Sequence, residues 1–250
     1  MLIINADDWG RDRNTTEQTL DCVRRGGISS VSAMVFMDDS ERAAMLARKH
    51  AIDSGLHINL TMPFTAGNCS AKLMECQQKL AQYLLRHRFS QMIFHPGLVH
   101  EAEYVVAAQI EEFRRLYGVA PSRLDGHHHM HLCANVLLQG LLPPNTIVRR
   151  NFSFEAGEKS LWNRLYRRLI DRMLARRHRV TDYFFSLAPL QPDGRLQRIF
   201  SLSHEYVIEM EAHPVNRDEY KFLTEGGVDR MAGDVKIEPP CATVWGSMSV

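Results

Sequence analysis

Short apolar runs rich in β-branched residues alternate along the chain with longer stretches in which apolar residues recur every three or four positions. The first pattern marks strands and the second helices. Their alternation builds parallel sheets, because each parallel strand needs a crossover helix before the next can pair. Eight strands are predicted, at residues 2–5, 30–35, 55–60, 123–127, 146–149, 181–185, 206–211 and 242–245. Eight helices are predicted to follow them, at 15–25, 40–49, 71–86, 103–117, 134–141, 159–178, 195–201 and 217–223. No Ser/Gly/Pro-rich linker, low-complexity tract or internal repeat divides the chain, so a single α/β domain over residues 1–250 is expected, a TIM-like (β/α) barrel.

The helix around Leu161 shows the pattern most clearly. Leu161, Leu165, Leu169 and Met173 repeat every four residues, with Trp162, Tyr166, Ile170 and Leu174 beside them, which predicts one packed apolar face. Arg164, Arg167, Arg168, Arg172, Arg176, Arg177 and Arg179 fill the rest and read as a solvated basic face rather than a phosphate site.

Composition narrows the class. With 45% hydrophobic and 24% charged residues the chain can bury a core, and disorder is excluded. The formal net charge of +1 gives no field that would call for nucleic acid or a membrane surface. No window approaches the ~20 apolar residues of a bilayer span. Cys22, Cys69, Cys76, Cys133 and Cys241 are scattered without C-x-x-C spacing and read as reduced thiols. Residues 1–5 lack a basic leader and meet Asp7 and Asp8 at once, so a cytoplasmic location is expected. A homodimer is the base-rate expectation for assembly. The unusual number is 12 histidines.

Four segments carry the candidate chemistry. Asn5-Ala6-Asp7-Asp8-Trp9-Gly10 follows the first strand, and two adjacent acids at a strand end repel each other unless a cation or a turn uses them. In Gly55 to Thr61, strict alternation puts His57, Asn59 and Thr61 on one face, expected to meet a wet cavity or a ligand. In Leu124 to His131, an extended backbone would align Asp125, His127, His129 and His131, and a divalent cation is the simplest way to hold neutral imidazoles together. Finally, His213-Pro214 ends the seventh strand. One Asp and two His would leave coordination positions open, the mark of a catalytic metal site; a spare carboxylate can then deprotonate water and a spare His can protonate a leaving nitrogen.

These residues resemble those of the YdjC-like carbohydrate deacetylases, which include chitooligosaccharide deacetylases. The likeness lies in Asn5 to Gly10, Gly55 to Thr61, Gln109 to His131 with Pro121 and Asp125-x-His127-x-His129-x-His131, and His213-Pro214. It implies a deformed (β/α) barrel, one divalent metal, Zn or Mg, and hydrolysis of the acetyl group from an N-acetylated mono- or oligosaccharide. It further implies that Asp8, His57 and His127 hold the metal, that Asp7 is the general base and that His213 is the general acid. Spacing alone would equally permit a His129 and His131 pair as ligands. Asp125 is expected to orient an imidazole, and Trp9 to stack on a sugar or pack in the barrel. Trp9, Arg123 and Val215 stand where the family commonly has Phe, His and Gly, which bears on substrate more than on reaction. Two other readings compete: a metal-dependent phosphoesterase, and a non-catalytic metal- or sugar-binding protein on the same scaffold.

Overall fold

The computed structural model describes residues 1–154 and 158–240. Its strands are β1 (Leu2–Trp9), β2 (Ser30–Ala33), β3 (Ser54–Ile58), β4 (Arg123–Gly126), β5 (Ile147–Val148), β6 (Tyr183–Ser186) and β7 (Ile208–Ala212). Its helices are α1 (Arg13–Arg24), α2 (Ser40–Lys49), α3 (Ala71–Arg86), α4 (Val99–Tyr117), α5 (Ala134–Gln139), α6 (Leu161–Ala175), α7 (Asp193–Leu202), α8 (Arg217–Thr224) and α9 (Gly227–Ala232). Strand and helix thus alternate as the hydrophobic pattern predicts. Among the described residues α9 is an added element, and the expected strand at 242–245 lies outside them. The seven strands form one sheet in the order β5-β4-β3-β2-β1-β7-β6. This is the α/β topology of a deformed (β/α) barrel. No described helix is long and apolar enough to cross a membrane.

The chain divides into two compact units. The first takes Met1–Ala6, Gln18–Ser30 and the described residues from Ile147 onward. Here β1 runs parallel to β7, from Leu2↔Ile208 to Ala6↔Ala212, and β7 runs parallel to β6. Alternation on β7 sends Glu209 and Glu211 to one side, where both meet Arg149: Nε donates to Glu209 Oε1 at 2.8 Å and Nη1 lies 3.4 Å from Glu211 Oε2. All three are buried, and the guanidinium lies 4.9 Å from the centre of the Phe184 ring. A Cβ on Gly27 would collide with the Leu223 carbonyl, so α8 can approach that turn only where the side chain is absent.

Helix α6 departs from expectation. Leu161, Trp162, Leu165 and Leu169 are exposed, Trp162 at 80%, whereas Ile170 and Leu174 are buried. Polar anchors explain the rotation. Asp171 accepts from the Asn151 backbone N–H and amide at 3.0 Å and from Arg150 at 2.9 Å, and Arg167 lies over the Phe154 ring while bonding Asn163. A row of satisfied hydrogen bonds from a buried-side Asp outweighs the contact that the leucine stripe would gain.

The second unit takes Asp7–Glu17 and Val31–Thr146. Strands β2, β3 and β4 pair in parallel, with His57 registered against Asp125. Helix α4 buries Ala102, Val105, Val106, Gln109, Ile110, Phe113 and Leu116, one face of a 3.6-residue period. Gln109 is the polar member of that face. Its Oε1 accepts from Asn59 N–H at 2.7 Å and its amide donates to Asn59 O at 3.1 Å, which satisfies the backbone where β3 ends.

Replacing Arg149 by Met should destabilise the protein by about 3–5 kcal/mol, because two buried carboxylates, Glu209 and Glu211, would lose a cation that bonds both. Urea unfolding followed by far-UV circular dichroism measures this; a loss below about 1 kcal/mol would argue against that role.

Candidate metal centre

The centre is built within the second unit and begins at the end of β1. Asp8 lies in the left-handed region at φ 65°, and Gly10 follows at φ 86°. Arg11 N–H donates to the Asp8 carbonyl at 3.0 Å, closing a four-residue turn. Only glycine suits the third place. A Cβ there would meet the Ala43 side chain and the Met34 carbonyl at 3.2 Å, in a backbone conformation that is strained for other residues. The turn brings Arg11 back over Asp8, and its Nη1 donates to Asp8 Oδ2 at 2.6 Å.

The opposite oxygen of Asp8 is the meeting point. His127 Nδ1 lies 3.0 Å from Asp8 Oδ1, and His57 Nε2 lies 3.4 Å from the same atom. Asp8, His57 and His127 are all buried, and each offers a ligand atom within 4.8 Å of the others'. Asp7, His57 and Asp125 form a second such group around the same imidazole. The donor set of one carboxylate and two imidazoles fits a cation, and among the described residues the second ring nitrogen of His127, Nε2, is buried without a hydrogen-bond partner, so this imidazole keeps a nitrogen that no protein group uses.

His57 is oriented from behind. Its Nδ1 donates to Asp125 Oδ1 at 2.8 Å, across the registered pair of β3 and β4. Asp125 is itself held, by the Ser32 hydroxyl and by Arg123, whose Nη1 lies 3.5 Å from Asp125 Oδ2 and 3.0 Å from Ser32 Oγ. The imidazole that Asp125 bonds is thus that of His57. Fixing Nδ1–H on a carboxylate turns Nε2 toward Asp8.

Beyond His127 the extended reading of the histidine run fails. Strand β4 stops at Gly126, and His128 and His129 both take left-handed conformations, φ 53° and 56°. The two-residue period is lost, so His129 and His131 do not continue the face of Asp125 and His127. The His129 ring lies 6.4 Å from that of His131, which is fully buried. His128 is exposed, its ring centre lies 4.1 Å from that of His127 with the two planes tilted by 34°, and it meets Thr61 Oγ1 through Nδ1 at 3.1 Å.

Other expected residues have different fates. Asn59 does not face a cavity: its Oδ1 accepts from Thr61 and Met62 N–H at 3.2 and 2.8 Å, and its amide donates to Met62 O, so it closes the turn after β3. Trp9 is fully buried and presents no face for sugar stacking, which leaves the packing role. His213 is half-buried in the first unit, directly after β7. Glu219 Oε2 accepts from its backbone N–H and Asn216 donates to its carbonyl, both at 2.8 Å. The residues missed from sequence are Arg11 and Ser32. Gly10 two places after Asp8 is the one local signal for Arg11, because a tight turn there returns the fourth residue over the first; Ser32 leaves none.

The electrostatics follow from this packing. Burial alone would raise the Asp8 pKa, yet hydrogen bonds from His127 and His57 outweigh it and hold the carboxyl well below the usual range. Burial alone would lower the His57 pKa, yet the charges of Asp7 and Asp125 and the hydrogen bonds to Asp125 and Asp8 push it up to about 10. The cavity thus favours added positive charge, whether carried by a proton or by an ion.

Comparison with known proteins places these features. A family model described as YdjC-like protein matches residues 1–235. A protein of Mus musculus named carbohydrate deacetylase is 29% identical over 136 residues, which cover 54% of this chain and 44% of the relative. A protein of Yersinia pestis (strain Pestoides F) named chitooligosaccharide deacetylase is 30% identical over 139 residues, covering 54% and 52%. The chain spans about half the length of the curated relatives it matches. A solved structure from Enterococcus faecalis V583, described as a candidate cellobiose-phosphate cleavage protein, shares the fold with a TM-score of 0.63, 18% identity and 95% coverage of both chains.

The His57 shift predicts a pH dependence of the ion-free protein. Because the folded pKa is raised from 6.5 to about 10, its stabilising contribution is complete below pH 6.5 and is lost as pH rises through about 10. Thermal unfolding in excess chelator should show a midpoint that falls over this interval in wild type and falls less in His57→Gln. Parallel profiles would remove the imidazolium from the account.

Proposed function

This chain belongs to the YdjC-like family, and from that premise we propose that it is a metal-dependent hydrolase that removes the acetyl group from an N-acetylated mono- or oligosaccharide. The observation that carries the reading is the convergence of His57 Nε2 and His127 Nδ1 on one oxygen of Asp8. The names of the mouse and Yersinia relatives support the same chemistry.

Asp8, His57 and His127 would hold the ion. A divalent cation there supplies a Lewis acid that polarises the acetamide carbonyl and lowers the pKa of water. Two imidazoles favour Zn²⁺, while the carboxylate and open positions admit Mg²⁺.

Asp7 acts as general base. It is buried next to Asp8 and offers an oxygen within 4.8 Å of ligand atoms of His57 and Asp125, which supports a role in taking a proton from the attacking water. Asp125 keeps His57 in one tautomer and orientation. His213 acts as general acid. An amide nitrogen departs only once protonated, so the reaction requires an acid as well as a base. Pro214 and the bonds from Glu219 and Asn216 fix the backbone that carries this imidazole.

The test is a panel of N-acetylated mono- and oligosaccharides assayed for free amine and acetate, with and without chelator. Chelator-sensitive acetate release is expected. Phosphate release from an aryl phosphate instead, or tight sugar binding without turnover at any added metal, would replace the reading.

The roles separate by mutation. Asp7→Asn should lower kcat by at least about 10²-fold with metal content near wild type. Asp8→Asn and His57→Ala should lose metal as measured by elemental analysis, and Asp125→Asn should weaken metal affinity by about 10–100-fold. Equal metal loss in Asp7→Asn and Asp8→Asn would unseat Asp7 as base.

A further inference from the structure

Asp8 divides its two oxygens between different kinds of partner. Oδ1 faces His127 Nδ1 at 3.0 Å and His57 Nε2 at 3.4 Å, whereas Oδ2 accepts from Arg11 Nη1 at 2.6 Å. Arg11 is itself tied down. Its Nε donates to Asp12 Oδ2 at 3.0 Å and its Nη2 to Thr15 Oγ1 at 2.9 Å. Asp12 in turn accepts from Thr15 N–H at 2.8 Å, so the guanidinium is anchored to the first turn of α1. The Asp8–Arg11 backbone turn, fixed by Gly10, holds the same geometry from the other side. Three independent restraints therefore aim Arg11 at one carboxylate oxygen.

We propose that Arg11 is a positioning residue that confines Asp8 to ligation through a single oxygen and thereby sets which divalent ion the centre prefers. The proposal rests on the reading of Asp8, His57 and His127 as ligands. A carboxylate that binds through both oxygens occupies two coordination positions, which suits ions that take six or more oxygen ligands. A four-coordinate ion with two imidazoles needs only one oxygen from the acid. With Oδ2 committed to a charge-assisted hydrogen bond, two-oxygen binding would first have to break that bond. The arrangement thus selects for an ion of low coordination number, Zn²⁺ over Mn²⁺, beyond the preference that ligand type supplies.

Dissociation constants for Zn²⁺ and Mn²⁺ should be measured on the full chain by competition with a chelating indicator. Wild type, Arg11→Met, Arg11→Lys and Thr15→Val form the series, and circular dichroism melts of the ion-free proteins check folding. In Arg11→Met the ratio of the Mn²⁺ constant to the Zn²⁺ constant should fall about tenfold, as Oδ2 is released. Arg11→Lys, which keeps one donor for that oxygen, should stay within about threefold of wild type. Should Arg11→Met fail to fold, Thr15→Val carries the test, with a fall of about threefold as one anchor of the guanidinium is lost. An unchanged ratio, with both constants weakened in parallel, is what a purely structural Arg11 would give, and it overturns the proposal. A wild-type protein that binds neither ion overturns the cation reading itself, and Arg11's role with it.

Discussion

Everything at the centre depends on one buried carboxylate. Asp8 receives imidazole nitrogens on one oxygen and a guanidinium on the other, in surroundings that would otherwise favour its neutral form. A buried carboxylate of this kind stays ionised only while positive charge is held against it, and that requirement organises its neighbours. His57 is turned toward it by Asp125, Asp125 is steadied by Ser32 and Arg123, and Arg11 is held in place by Asp12 and Thr15. Asp8 and Asp125 are thus each matched by named bases and donors. A divalent ion would extend the same logic, by adding positive charge where two imidazoles and an acid already converge.

The backbone is bent to serve this arrangement. Asp8 at φ 65° and His128 and His129 at 53° and 56° lie in the left-handed region on both sides of the site. Such residues cost roughly 1–3 kcal/mol each where nothing compensates, and they concentrate where function demands a particular direction. At Asp8 the bend re-aims the chain so that Arg11 reaches back. At His128 and His129 it ends the strand immediately after His127, so that one imidazole of the cluster enters the centre and its neighbour is left exposed beside it.

Much of the fold was legible because it rests on local periods. The helices at 40–49 and 71–86 fall where apolar spacing puts them, and the strand expected at 2–5 starts there but runs on to Trp9. Where spacing misled, a specific polar contact intervened. On α6 the apolar stripe of Leu161, Leu165 and Leu169 is exposed, because Asp171 bonds Asn151 and Arg150 and turns a different face inward. At residues 127–131 the two-residue alternation was the wrong premise, because two left-handed residues break it. Asn59 looked like a ligand-facing side chain and instead satisfies its own turn, since peptide groups freed at a strand end need partners sooner than any ligand does.

Taken alone, the sequence determined the order of elements and the chemical inventory: adjacent acids directly after the apolar run that starts the first strand, a histidine on the third, a histidine cluster at the fourth, a His-Pro after the seventh. These are properties of residue type and short-range spacing, which the chain carries whatever its fold. Only the tertiary structure decided the pairings. That Asp125 serves His57, across 68 residues of chain, and that His127 shares an oxygen of Asp8, across 119, follows from strand register and turn geometry. Hydrogen-bond partners are selected by distances of a few ångströms in space, and separation along the chain does not encode them.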